Sequence, residues 1–72
     1  MPKLYSTKQI IKVLEEKGFI FVSQKGSHMK YRKTGSHNLN VIVPAKRKEV
    51  PMGTFRSILR QSNLNEEDFK KK

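Results

Sequence analysis

The chain has no cysteine among its 72 residues, which removes disulfides, thiolate metal sites and cysteine nucleophiles from consideration. It has two histidines, and two imidazoles without a thiolate fall short of a structural zinc site, so no metal or other cofactor is expected. No apolar run approaches the ~18 residues of a membrane span, and no signal-peptide-like segment follows Met1. The expectation is therefore a protein of the cytoplasm with no membrane contact. Acidic residues are also scarce: six, against sixteen Lys and Arg, for a net charge of +10. None lies between Glu16 and Glu49, a stretch that holds Lys17, Lys25, Lys30, Arg32, Lys33, Lys46, Arg47 and Lys48. Repulsion at that density destabilises a small fold, and a polyanionic partner is the economical explanation. A surface shaped only for solubility would intersperse its signs.

What is present suits one small domain spanning residues 1–72. Hydrophobic residues make up 35% of the chain, enough for a single two-layer core. Such a core rarely supplies more than ~3–5 kcal/mol net, so local signals must agree with the fold. Ser6 and Gln9 form a capping-box pair, and Ile10, Ile11, Val13 and Leu14 gather on one side of the helix that follows. Gly18 ends it. Phe19 to Gln24 reads as a strand, Lys25-Gly26 as a tight turn, and Ser27 to Lys33 as a second strand. Thr34 to Asn38 is a turn cluster, with His37 a turn residue, and Leu39 to Val43 is a third strand ended by Pro44. Strands this close in sequence pair as antiparallel neighbours. Ala45 to Val50 is a basic loop, and Pro51 precedes a helix over Met52 to Ser62. Asn65 caps a last short helix whose first turn holds Glu66, Glu67 and Asp68 and whose end is Lys70-Lys71-Lys72, charges that suit the helix dipole. The expected fold class is α+β: α-β-β-β-α with a three-stranded antiparallel meander and both main helices on one face. Ile10, Val13, Leu14, Phe55, Ile58 and Leu59 should be largely buried.

Covering one sheet face leaves the other open. In the second strand His28, Lys30 and Arg32 project to one side and Met29 and Tyr31 to the other. A solvated face accounts for Lys30 and Arg32 as well as a ligand does. His28 adds something different, a group that can both take and give a proton near neutral pH. On a cationic face it could accept the 2′-hydroxyl proton of bound RNA while the neighbouring cations offset charge on the phosphate. A hydrogen-bonded surface histidine is the alternative. Gly35-Ser36-His37 repeats Gly26-Ser27-His28 nine residues later, and its composition reads as a turn.

Gly26-Ser27-His28, then Val43-Pro44, then Glu49-Val50-Pro51, Gly53-Thr54-Phe55 and Ile58-Leu59-Arg60-Gln61 together resemble the HicA family of bacterial toxins. The resemblance runs from the first helix to the Glu66-Glu67-Asp68-Phe69 end. It implies a double-stranded-RNA-binding-domain-like fold, metal-independent cleavage of mRNA, and neutralisation by a HicB-type antitoxin. It also implies that His28 occupies the family's catalytic histidine position. Many relatives carry a second histidine two residues after the Val-Pro proline, where this chain has Lys46. An ammonium of ordinary pKa near ~10.4 offsets phosphate charge but is a poor proton acceptor at neutral pH. Lys46 is accordingly a phosphate ligand, together with Arg47 and Lys48. The expected RNA contacts are Lys25, Gly26, Ser27, Lys30, Arg32, Lys46, Arg47 and Lys48, the substrate is single-stranded RNA, and the partner is an acidic antitoxin covering the same face. A non-catalytic RNA-binding module of the same fold shares every feature except the role of His28, and a ribosome-associated basic protein is a third reading.

Overall fold

The computed structural model describes residues 4–35 and 38–70, so His37 and the Lys71-Lys72 end lie outside the described residues. Helix α1 spans Thr7–Glu16. It starts where the capping box dictates: the Ser6 hydroxyl accepts the Gln9 N–H at 3.1 Å, and the Gln9 side-chain oxygen accepts the Ser6 N–H at 2.9 Å. It ends in a Schellman motif. Gly18 takes φ 98° and donates to the Glu15 carbonyl, and Phe19 donates to the Leu14 carbonyl at 2.9 Å. Phe19 therefore belongs to the cap rather than to the first strand, and it is buried.

Strands β1 (Ile20–Lys25), β2 (His28–Lys33) and β3 (Leu39–Pro44) form an antiparallel sheet in the order β1-β2-β3. Gly26 and Ser27, rather than Lys25 and Gly26, make the two-residue β1–β2 turn, and Lys25 ends β1. Gly26 has φ 59°, whereas Ser27 is not among the positive-φ residues, the pattern of a type II′ hairpin. Helices α2 (Met52–Ser62) and α3 (Glu66–Lys70) complete the fold, with Asn63 left-handed at φ 60° after α2.

Tyr31, Val41 and Val43 from one sheet face join Ile10, Val13 and Leu14 of α1 and Phe55 and Ile58 of α2 in one buried cluster. The fold is α+β with the sheet covered on that face, as expected. Burial, and secondarily the Glu15 carboxylate, push the Tyr31 phenol above its usual range, so it stays neutral there. Three rings tie the chain ends to α2: Tyr5–Phe55 and Phe55–Phe69 centroids are each 5.1 Å apart, and Tyr5–Phe69 6.0 Å. Lys17 meets Asp68 at 3.3 Å across α1 and α3. Asp68 also accepts the Asn65 N–H at 2.9 Å, so this acid stabilises its own helix start.

One further expectation changes. Leu59 is half-buried, because at ~100° from Ile58 it leaves the stripe that Phe55, Ile58 and Ser62 share. Ser62 takes the buried position, with its hydroxyl donating to the Leu59 carbonyl and accepting the Leu64 N–H, each at 3.3 Å. Strand β1 is exposed throughout, with Ile20 65% and Phe21 51% accessible. The helices pack chiefly on β3, at the far edge of the sheet. Among the described residues no helix is long and apolar enough to cross a membrane.

Two glycines should respond oppositely to alanine. Gly26 and Gly53 both have open space where a Cβ would stand, but only Gly26 has positive φ. Gly26→Ala should destabilise by about 1–2 kcal/mol. Gly53→Ala, inside α2, should stabilise by up to ~1 kcal/mol. Urea denaturation of both variants measures the difference, and the same sign for both would contradict this account of the hairpin.

Candidate functional site

The open face is built in cross-strand rows. His28 pairs with Lys25 and Pro44, Lys30 with Ser23 and Ile42, and Arg32 with Ile20 and Asn40. His28 is exposed. It lines two depressions, both shared with Ile42. One, of about 510 Å³, is completed by Ser23, Lys25 and Lys30. The other, of about 270 Å³, lies toward α2 and is completed by Pro44, Arg47, Pro51, Thr54, Ser57 and Gln61. Arg32 sits four residues beyond His28 along β2, roughly 13 Å at the strand rise. Its Nε donates to the Asn40 side-chain oxygen at 2.9 Å, which fixes the guanidinium on the open face away from the histidine.

The basic loop is held from a distance. Thr7, the first residue of α1, is buried and bridges both ends of the turn. Its hydroxyl donates to the Pro44 carbonyl at 2.7 Å and accepts the Arg47 N–H at 3.0 Å, while its own N–H donates to the Arg47 carbonyl at 2.9 Å. The Ala45 N–H donates to the Ser27 carbonyl at 2.7 Å, joining this loop to the hairpin turn that precedes His28. Inside the clamp Lys46 is left-handed, at φ 56°. That conformation costs a side-chain-bearing residue about 1–2 kcal/mol, and the bonds on either side offset it.

The clamp divides the three loop cations. Arg47 lines the cleft beside His28. Lys46 and Lys48 line a different cleft of about 470 Å³, which Arg47 also borders, with Lys8, Ile11, Gln24 and Met29. Met29 alternates with His28 along β2, so that cleft opens on the helix side of the sheet. The structure thus brings Lys25, Lys30 and Arg47 around His28 and leaves Lys46 and Lys48 apart from it. Sequence reasoning assigned no role to Thr54, Ser57 and Gln61. Their spacing along α2, one step round from the buried Phe55-Ile58-Ser62 stripe, was the available signal. Among the described residues no group of three or more His, Asp or Glu could hold a metal ion.

A family model described as the HicA toxin of bacterial toxin–antitoxin systems matches residues 7–64. The chain belongs to the HicA toxin family. Membership makes it the toxin component of a toxin–antitoxin system, with a cognate antitoxin as partner. None of the curated proteins compared with it gives a significant match. The matched span of this HicA chain begins at the loop-clamping Thr7, contains both depressions around His28, and stops before α3.

The clamp is testable apart from any activity. Thr7→Val leaves the Arg47 N–H and the Pro44 carbonyl without their hydroxyl partner and should cost about 1–3 kcal/mol in urea denaturation. Thr7→Ser, which keeps the hydroxyl, should cost less than half as much. Equal losses would mean that packing of the threonine methyl, not the hydrogen bonds, holds the loop.

Proposed function

We propose that this HicA toxin is a metal-independent endoribonuclease acting on mRNA, with His28 as its acid–base group. The observation that carries the reading is the position of His28: exposed, on the open cationic face, where the two depressions meet. RNA brings its own nucleophile. The ribose 2′-oxygen attacks the adjacent phosphorus, the bond to the 5′-oxygen of the next nucleotide breaks, and a 2′,3′-cyclic phosphate and a 5′-hydroxyl result. A proton must leave the 2′-oxygen and another must reach the departing 5′-oxygen. His28 serves one of these transfers. Lys25, Lys30 and Arg47, which border the same depressions, offset the charge that builds on the phosphate. Gly26 lets backbone approach the phosphate, and the Ser27 hydroxyl donates to a phosphate oxygen. Arg32 takes the flanking backbone on one side, and Lys46 and Lys48 take it where the strand passes round the sheet edge.

General acid–base catalysis is worth roughly 10²–10⁴-fold, so His28→Ala should lose at least ~10²-fold in cleavage of a single-stranded RNA. Its fold and most of its RNA affinity should survive, because an exposed side chain contributes little to the core. EDTA should leave the wild-type rate unchanged. Near-wild-type cleavage by His28→Ala would transfer the role to another residue. Binding without any cleavage would favour a non-catalytic RNA module, and loss on adding EDTA would require a metal.

The antitoxin expected on charge grounds is an acidic HicB-type protein lying over His28, Lys30 and Arg32. RNA and antitoxin should then compete, and their exchange should be read directly by anisotropy of labelled RNA titrated with antitoxin at several salt concentrations. A stable ternary complex would refute steric blockade of this face.

A further inference from the structure

The cleft between His28 and α2 differs in chemistry from the cationic depression on its other side. Ile42 and Pro44 give it an apolar floor against which a flat ring can lie, and Thr54, Ser57 and Gln61 give it a neutral polar wall. The wall is biased toward donors. Gln61 uses its side-chain oxygen to accept the Ile42 N–H at 2.9 Å, closing the β3 edge that faces α2. Only the oxygen of an amide can accept that bond, so the two N–H groups of Gln61 necessarily point elsewhere. The Ser57 hydroxyl oxygen accepts from the Arg60 guanidinium at 3.3 Å, which leaves its O–H to donate. Arg47 adds further donors, and no carboxylate lines the cleft.

Unpaired bases are read through hydrogen bonds on their edges and by contact with their faces, whereas phosphate contacts carry no sequence information. A donor-rich wall suits bases that present carbonyl acceptors, guanine through O6 and N7 or uracil through O4. It suits less well the exocyclic amino groups of adenine and cytosine. We propose that this cleft seats the base of a nucleotide adjoining the scissile phosphate and selects keto-bearing bases, G or U, over A and C, with Gln61 as the specificity-determining residue. The proposal rests on the reading of His28 as the cleavage site and adds to it a sequence preference with a named origin.

The test uses DNA oligonucleotides carrying a single ribonucleotide, which permits one cut, with the base on either side of that cut varied. Wild-type protein should cleave the G and U substrates at least ~5-fold faster than the A and C substrates on one side of the cut. Gln61→Glu is the diagnostic variant. Its carboxylate can still accept the Ile42 N–H, but it has no donors and accepts from the amino groups of A and C. The order of preference should therefore reverse, whatever happens to the overall rate. The same oligonucleotides are bound to His28→Ala and to the His28→Ala/Gln61→Glu double variant, with affinity read by anisotropy. Cleavage without base preference, or a keto preference that survives Gln61→Glu, overturns the cleft while leaving the nuclease intact. Absence of cleavage with a binding preference that reverses in the double variant keeps the cleft and overturns the nuclease. Neither cleavage nor base-dependent binding overturns both.

Discussion

A chain of 72 residues can bury one face of a three-stranded sheet, and Tyr31, Val41 and Val43 decide which face that is. Strand alternation then leaves no choice for their neighbours: His28, Lys30 and Arg32 must lie on the uncovered side. The core has few side chains to spare, so it recruits the chain ends. Tyr5 and Phe69 pack on Phe55, and Val50 is buried between the basic loop and α2. The open face thus follows from which strand residues the helices cover, and its chemistry lies in the residues that occupy it.

What gives that face its shape around His28 is a set of long-range ties. The Ala45–Ser27 bond joins the loop after β3 to the turn before β2, and Thr7 fastens the same loop to the start of α1. These bonds are short, and the hydroxyl of Thr7 works in both directions, as donor and acceptor. The loop can therefore hold Lys46 in a left-handed conformation without glycine. Turning the chain there leaves Arg47 bordering both clefts, that of His28 included, while Lys46 and Lys48 line the helix-side cleft and not the one beside His28. Three consecutive cations that look equivalent in sequence consequently face two different surfaces.

The contrast shows what was legible beforehand. The Ser6 capping box, the Gly18 stop, the hairpin at Gly26 and the alternation of β2 all depend on residues within a few positions of each other, and each was readable from those residues. The division of Lys46 to Lys48 depends on Thr7, about forty positions away, and no local pattern encodes it. The same holds for Gln61, whose orientation is set by a backbone N–H nineteen residues earlier. Leu59 and Phe19 differ from expectation for other reasons. Leu59 is one residue past Ile58 and so stands ~100° round the helix from the buried stripe, which Ser62 continues instead, while Phe19 sits at an element boundary and is taken by the helix cap.

On the proposed reading, the two depressions beside His28 divide two demands that a single basic surface would leave mixed. Lys25 and Lys30 are flexible, long-range charges that attract any polyanion and relax with salt. Such contacts hold a phosphate backbone wherever it lies, and they give no reason for a strand to stop at one nucleotide. The α2 cleft works at hydrogen-bond range, with Gln61 already fixed by the β3 edge before any ligand arrives. Preorganised neutral donors add little to long-range attraction but penalise a base that cannot pair with them, since a donor left unpaired on binding loses its water. On the proposed reading, general affinity comes from the lysines and selectivity from α2. His28 then belongs where it is found, at the boundary, because cleavage is useful only where a strand that charge has captured also meets the donors that can register it.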